Sequence, residues 1–391
     1  MTSGGTLPAV GTVSSPRRLP EMIRPAYQRS TLADLLPAVC AHLGVPGCDD
    51  LLGLPASDRY VIVLVDGLGW HLLRKAVRNA EYLTSLLGDA RPITAGVPST
   101  TVTSLTSLGT GLSPGEHGMV GYTSRVPGLG QVLNALYWDA PVDPRDYQPQ
   151  PTMFERALAA GVAVTSVSPA HFATSGLTVA AQRGAEFVGF TNSSDDHQRA
   201  SLIAAAAARG DRSLVYAYER DLDHAGHAHG CESGDWLDAL TQIDRRLAVI
   251  RASLPDEVTM IITGDHGMVD VRPAHRLIAE DEPQLLVGLD AIAGEARFRQ
   301  LYVDRDNPRL VAARWADLLG ERAWVRTRED AIDDGWFGPV DDRVLERFGH
   351  VLVAMRDEWA IMTQTQPREH GLVGMHGSLT PAEMTVPLLI G

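Results

Sequence analysis

The sequence predicts an α/β protein: a three-layer core with a mainly parallel sheet and helices on both faces, plus a small α+β cap inserted late in the chain. Three observations predict it. Short apolar runs without polar alternation recur at residues 60–65, 163–167, 213–218 and 258–263, as strands buried on both faces require. Helical periods lie between them, which implies right-handed crossovers and a parallel sheet. From about Asp270 to His370 the texture changes to one rich in Arg, Asp and Glu, and the apolar segment 386–390 then reads as core strand again.

The clearest helix runs through Trp236, Leu240, Ile243, Leu247, Ile250 and Leu254, one apolar stripe facing a core. The Ala-rich run 204–208 reads as plain helix. In the cap, 298–303 and 351–362 read as strand and 310–319 as helix. The organisation expected is an N-terminal flexible arm over 1–30, a core over 31–270 and 371–391, and the inserted cap over 271–370. In the first twenty residues Arg17 and Arg18 follow the mildly apolar stretch, the wrong order for a secretory signal. Cys40, Cys48 and Cys231 then read as reduced thiols of a cytoplasmic protein.

A chain of 391 residues with 45% hydrophobic and 21% charged residues can bury a sizeable core. Its net charge of −14 repels phosphate backbones and anionic lipid, so neither a nucleic-acid polymer nor a membrane is expected as partner. No apolar run approaches the roughly 18 residues of a membrane-spanning helix. An acidic protein can still bind a small phosphate compound if it recruits metal.

Three of the strand candidates end in acids and imidazoles: Asp66-Gly67, Asp265-His266-Gly267, and Asp223-His224-Ala225-Gly226-His227. In an open parallel sheet these ends share one edge, where ligands gather. Mixed oxygen and imidazole donors suit zinc or manganese better than calcium or magnesium. A single strand-end Asp is more often a helix cap, but three with neighbouring histidines point to a metal centre. Asp223 and His227 stand four apart, on one face of a helical turn. Asp221 is the alternative acid, whereas His224 and His229 read as exposed turn residues. The segment Pro98-Ser99-Thr100-Thr101-Val102-Thr103-Ser104 reads as a loop entering a small-residue helix, either a plain cap or a hydroxyl nucleophile beside free amides. Such a hydroxyl needs a base or metal to become nucleophilic.

In order along the chain stand VLVDGLGW, PSTTVTSLTSLGTG followed by EHG, YERDLDHAGH, TGDHGM and a late MHGSLTPAEM. On these motifs the chain, from about Tyr60 to Gly391, resembles the alkaline phosphatase superfamily and, within it, the nucleotide pyrophosphatase/phosphodiesterase family; residues 271–370 resemble family members only loosely. The resemblance implies an alkaline-phosphatase-like fold and two divalent metal ions, zinc or alternatively manganese. It implies that Asp66, Thr101, Asp265 and His266 hold one metal and that Asp223, His227 and His376 hold the other. Thr101, rather than Thr100, would be the nucleophile, because the family's lies three residues after a proline, here Pro98, and nine before the threonine of a T-G-L, here Thr110. His376 is preferred to His370 because the segment 378–384 matches the family tail.

The resemblance further implies a hydrolase that cleaves phosphodiester or pyrophosphate bonds of a small phosphoester, nucleotides included, through a covalent phospho-threonine. One position departs from it. The family's asparagine, twenty-one residues after the nucleophile, is here Tyr122, whose hydroxyl, or Asn134 from the next segment, would have to hold the phosphate oxygen. Tyr218 matches an aromatic position that can stack a nucleobase. The same fold carries phosphomonoesterases, phosphonate hydrolases and phosphomutases, for which Arg220 and Arg125 are the nearest extra cations. The absence of a Cys-x-Pro-x-Arg loop excludes a sulfatase. A reading of another class is a catalytically silent metal-binding sensor or scaffold. With no obvious extra cation, a diester is expected to be preferred over a monoester. The oligomeric state is left open.

Overall fold

The computed structural model describes residues 22–191, 195–304 and 307–391. A seven-stranded sheet lies at its centre, in the order Arg91–Thr94, Thr385–Ile390, Thr259–Thr263, Arg59–Val65, Ser213–Glu219, Ala163–Pro169, Glu186–Phe190. The last five pair in parallel, and Thr385–Ile390 runs antiparallel to both its neighbours. The run at 60–65 lacks polar alternation for a reason visible in the packing. Tyr60, Ile62 and Leu64 enter one hydrophobic cluster with Leu36, Val102 and Leu105, while Val61, Val63 and Val65 enter another with Ile203, Leu240 and Leu247. Successive side chains point to opposite faces, and both faces are covered.

The helix Gly234–Ser253 buries Trp236, Leu240, Ile243, Leu247 and Ile250, and it starts where the Ser233 side chain accepts a hydrogen bond from the Trp236 amide. The Ala-rich run ends the helix Asp196–Ala207. Among the described residues no helix is long and apolar enough to cross a membrane. Residues 1–21 of the expected arm lie outside the described residues. Residues 22–30 are tied to the fold: the Ile23 amide donates to Leu379 O (2.9 Å) and the Tyr27 hydroxyl to Trp336 O (3.0 Å).

Residues 271–370 contain a four-stranded antiparallel sheet in the order Leu289–Glu295, Phe298–Val303, Val351–Met355, Ala323–Thr327, with the helix Pro308–Leu319 beside it. The single strand expected over 351–362 is two. Asp357 takes a positive φ of 46° and turns the chain, so that Ala360–Met362 leaves this sheet and pairs with Arg276–Ile278.

The cap and the core share buried residues: Val97, Val120, Phe298, Trp336, Phe337, Leu379 and Met384 form one cluster. A buried ion pair joins them as well. Arg297 donates from Nε and Nη2 to Glu383 Oε1 (2.9 Å) and Oε2 (2.6 Å), and both side chains are wholly inaccessible. Glu383→Ala leaves that guanidinium buried without its anion, so unfolding in urea should show a loss of about 3–5 kcal/mol. A loss below about 1 kcal/mol would mean that the pair does not fasten the cap.

Candidate active site

The acids and imidazoles converge at the carboxyl edge of the sheet because the strands there are in register. Leu64 pairs with both Tyr218 and Thr263, so Asp66, the turn after Glu219 and Asp265 emerge side by side. Gly67 permits the approach: its φ is +76°, and a Cβ would stand 3.1 Å from Asp223 Cα. The Gly67 and His266 amides each donate to Asp265 Oδ1 (3.0 Å), and the Tyr218 hydroxyl donates to Asp66 Oδ2. Asp223 and His227 sit on the helix Asp221–His229.

Three histidines are oriented in the same way. Nδ1 of His227 is 2.8 Å from Gly374 O, Nδ1 of His266 is 3.0 Å from Gly267 O, and Nδ1 of His376 is 3.0 Å from Ser99 O. Each Nδ1–H donates to a main-chain carbonyl, which leaves every Nε2 unprotonated, with a lone pair that at His266 accepts from the Thr101 hydroxyl. The Nε2 atoms face carboxylates: His266 to Asp265 Oδ2 at 3.4 Å and Asp66 Oδ1 at 3.5 Å, His227 to Asp223 Oδ1 at 3.4 Å, and His376 to the same oxygen at 3.9 Å. The His266 and His376 rings are stacked, with centroids 3.6 Å apart.

The donor set fits divalent cations. Asp66 Oδ1, Asp223 Oδ1 and Asp265 Oδ2 are buried without a hydrogen-bond partner among the described residues, which is costly unless something else binds them. Two groups of possible ligand atoms lie within 4.8 Å of one another, Asp66 with Asp265 and His266, and Asp223 with His266 and His376. Bonds of about 2.0–2.1 Å to a tetrahedral ion place neighbouring ligand atoms roughly 3.3–3.4 Å apart, close to the shorter separations here. Burial, with Asp265 and Asp223 alongside, pushes the Asp66 carboxyl well above its usual range; burial also raises Asp265. Burial, with His266 and His227 next to it, pushes His376 well below the usual imidazole range. A bound cation reverses the first effect by repaying the desolvated carboxylates, and it needs the neutral imidazoles that the second supplies.

Thr101 opens the helix Thr101–Thr110, capped by Thr100 in extended conformation, and its Oγ1 lies 3.2 Å from His266 Nε2. Its loop is held down because the Ser99 amide donates to Gly377 O (3.1 Å) and the Ser99 hydroxyl to Ser378 O (2.7 Å).

A cavity of about 540 Å³ opens onto this edge and is lined by Asp66, Thr101, Tyr122, Tyr218, Asp223, His227 and His376, while Asp265 and His266 lie wholly buried beneath it. Its outer wall is apolar, with Leu105, Phe172 and Leu177. Tyr218 and Phe172 pack edge to face, with centroids 5.8 Å apart. Arg220 and His224 reach the rim.

Asn134 is not brought to the cavity: its Oδ1 accepts from the Leu136 (3.0 Å) and Tyr137 (3.3 Å) amides, so it serves a turn. Arg125 is also elsewhere, bound to Asp290 at 2.7 Å. His370 Nε2 faces Thr363 O at 3.3 Å and is in neither group of candidate metal ligands. The sequence reading missed Phe172, Glu295, Arg368 and Glu369, which all line the cavity. Glu295, Arg368 and Glu369 come from the cap, where no motif marks them.

Residues 60–379 match the family model described as type I phosphodiesterase / nucleotide pyrophosphatase. Ectonucleotide pyrophosphatase/phosphodiesterase family member 7 of Mus musculus is 41% identical over 66 residues, a match that spans only 16% of this chain and 15% of the mouse protein. Murine ectonucleotide pyrophosphatase/phosphodiesterase 5 has a similar fold, with a TM-score of 0.68 and 16% identity over 84% of this chain and 87% of that one. An inactive variant of it in complex with AMP superposes with a TM-score of 0.66 and 16% identity, over the same 84% and 87% of the two chains. Phosphonoacetate hydrolase from Sinorhizobium meliloti 1021, in complex with phosphonoformate, has a TM-score of 0.63 and 20% identity over 84% of this chain and 89% of that one. The family model covers most of the chain, and the fold agrees with it: the protein belongs to the type I phosphodiesterase/nucleotide pyrophosphatase family of the alkaline phosphatase superfamily, a family of phosphoester hydrolases.

Proposed function

We propose that the protein hydrolyses a small phosphodiester or pyrophosphate, with Thr101 as nucleophile. One observation carries the reading: three imidazoles with unprotonated Nε2 atoms and three carboxylates with oxygens unpartnered among the described residues surround a hydroxyl at a helix start. Asp66, Thr101, Asp265 and His266 would hold one divalent cation and Asp223, His227 and His376 the other, zinc or manganese by their donors; when bound, such a pair neutralises phosphoryl charge and makes an oxygen nucleophile available at neutral pH.

The protein's own groups supply the rest. Thr101 Oγ1 forms a bond to phosphorus as the bond to the leaving oxygen breaks, and the leaving group departs with a proton. Water then attacks the phospho-threonine, releasing the phosphate product and restoring the hydroxyl. The free amides and positive dipole end of the helix that Thr101 opens favour the phosphoryl oxygens. Burial pushes the Tyr122 hydroxyl up to about 12, so it stays a donor at neutral pH, in the place of the family's asparagine. Phe172 and Tyr218 offer an aromatic wall to a flat ester group such as a nucleobase.

The assay is kcat/KM of metal-stripped protein reloaded with zinc or manganese, on matched p-nitrophenyl diester, nucleotide ester and monoester. A diester preference is expected, and Tyr122→Phe should lower diester kcat/KM about tenfold, the loss of one charge-directed hydrogen bond. Unchanged kcat/KM in Tyr122→Phe would remove its hydroxyl from the phosphate. A second reading, hydrolysis of a monoester or phosphonate dianion, is favoured by Arg220 and Arg368, which line the same cavity. Arg368 donates to the Tyr137 hydroxyl and Arg220 is half exposed, so both stand at the mouth. A monoester preference in the same assay selects that reading.

A further inference from the structure

Glu295 is the last residue of the cap strand Leu289–Glu295, yet its side chain lies in the cavity among residues of the core. It is only 7% exposed, and Oε1 has no hydrogen-bond partner among the described residues. The Thr100 hydroxyl and the Tyr122 amide lie close enough to hold its carboxyl down against the upward push of burial, and Oε2 lies 3.8 Å from His376 Nδ1. Gly377, with φ of +129°, packs so closely that a Cβ there would stand 2.7 Å from Glu295 Cγ.

A buried acid facing a histidine whose Nδ1 proton is already given to Ser99 O gains no ion pair. A hydrophobic residue would fill the space at lower cost, so mere packing does not account for it. The carboxyl lies against the turn that carries His376 and beside the residue before the nucleophile and the residue in the phosphate-holding position. These come from three separate segments, and Glu295 lies beside all of them.

We propose that Glu295 is a positioning residue for the phosphoester reaction: from the cap it fixes the Thr100–Thr101 loop against the His376 turn, so that the nucleophile and the metal ligand keep their mutual orientation. The proposal rests on the function proposed above for this cavity. A shift of about 1 Å in a nucleophile can cost on the order of a hundredfold in rate. Glu295→Ala should therefore lower kcat on the diester roughly 10- to 100-fold with KM within about threefold. Glu295→Gln, which keeps the side chain's shape and an acceptor oxygen toward Thr100 and Tyr122, should stay within about threefold of the parent.

The test compares kcat, KM and melting temperature of the parent, Glu295→Ala and Glu295→Gln, together with the histidine ring NMR signals of each protein. The His376 Nδ1–H signal should move or broaden in Glu295→Ala and keep its place in Glu295→Gln, with buried His117 as the internal reference. If Glu295→Ala does not fold, Glu295→Asp, one methylene shorter, takes its place and should show the same shift in kcat and in the His376 signal. Parent values of both kcat and the His376 signal in Glu295→Ala would overturn the proposal. So would equal losses in the Ala and Gln variants, which would make charge rather than placement decisive. A parent that turns over no phosphoester would overturn the functional reading, and the His376 signal would still decide whether Glu295 positions the turn.

Discussion

Thr101→Ala should lower kcat/KM on the preferred diester by at least about 10³-fold while leaving the fold and the metal content nearly unchanged. The size follows from chemistry: no other group of that loop can take its place without rearrangement. The Ser99 hydroxyl is buried and committed to Ser378 O, and Thr100 is 2% exposed and turned toward Glu295. Thr100 also lines the cavity, but of the three only Thr101 is more than slightly exposed there. The small structural effect follows from geometry, because the Thr101 hydroxyl makes one contact, at 3.2 Å to His266, and the carboxylates and imidazoles remain. A stability change within about 1 kcal/mol is expected. Initial rates with metal analysis on the same samples decide it. Near-parent turnover in the variant would move the nucleophile to Thr100 or Ser99 and require the loop to open.

The parts of this site legible in the sequence are those in which a residue type and a local spacing carry the chemistry. Asp66, Asp265 and His266 follow buried strands directly, and Asp223 with His227 share a helix face, so strand pattern and helical period were enough to place them on one edge. The order of the motifs added Thr101 and His376. What holds these residues in place left no trace. Each histidine is oriented by a main-chain carbonyl, Gly374, Gly267 or Ser99, and a carbonyl has no side-chain signature. Tyr218 was legible as an aromatic residue at a strand end, but its hydroxyl bond to Asp66 depends on the pairing of Leu64 with Tyr218. Asn134 shows the converse error. Its residue type suggested a phosphate contact, whereas asparagine at the end of the strand Gln131–Asn134 does what asparagine commonly does after a strand and binds the amides of a turn. In the cap, charged residues interrupt the period-two pattern and Asp357 breaks a continuous apolar run, so neither the strand Ala323–Thr327 nor the placement of Glu295 followed from local pattern.

His376→Ala should remove about one of two metal equivalents and lower kcat at least about 100-fold, whereas His370→Ala should retain both equivalents and the parent rate. The contrast comes from position. His376 stacks on His266 at 3.6 Å and is buried, with Nδ1 on Ser99 O and Nε2 turned toward Asp223, so its loss leaves Asp223 and His227 of the three donors proposed for that cation. Two donors are fewer than the three that catalytic zinc sites ordinarily use, and the Asp223 oxygen would again be buried without compensation. His370 lies in the turn Pro367–Gly371 with its Nε2 on Thr363 O, and it belongs to neither group of candidate ligands. Removing His376 also takes away the link between the Ser99 carbonyl and the C-terminal turn, so some loss of rate would persist at saturating metal. Metal content of dialysed protein, followed by rates across a zinc or manganese titration, separates the two contributions: partial recovery at high metal is expected for His376→Ala. Two equivalents retained in His376→Ala with one lost from His370→Ala would reverse the assignment of the C-terminal ligand and detach Asp223 and His227 from the helix-start hydroxyl across the site.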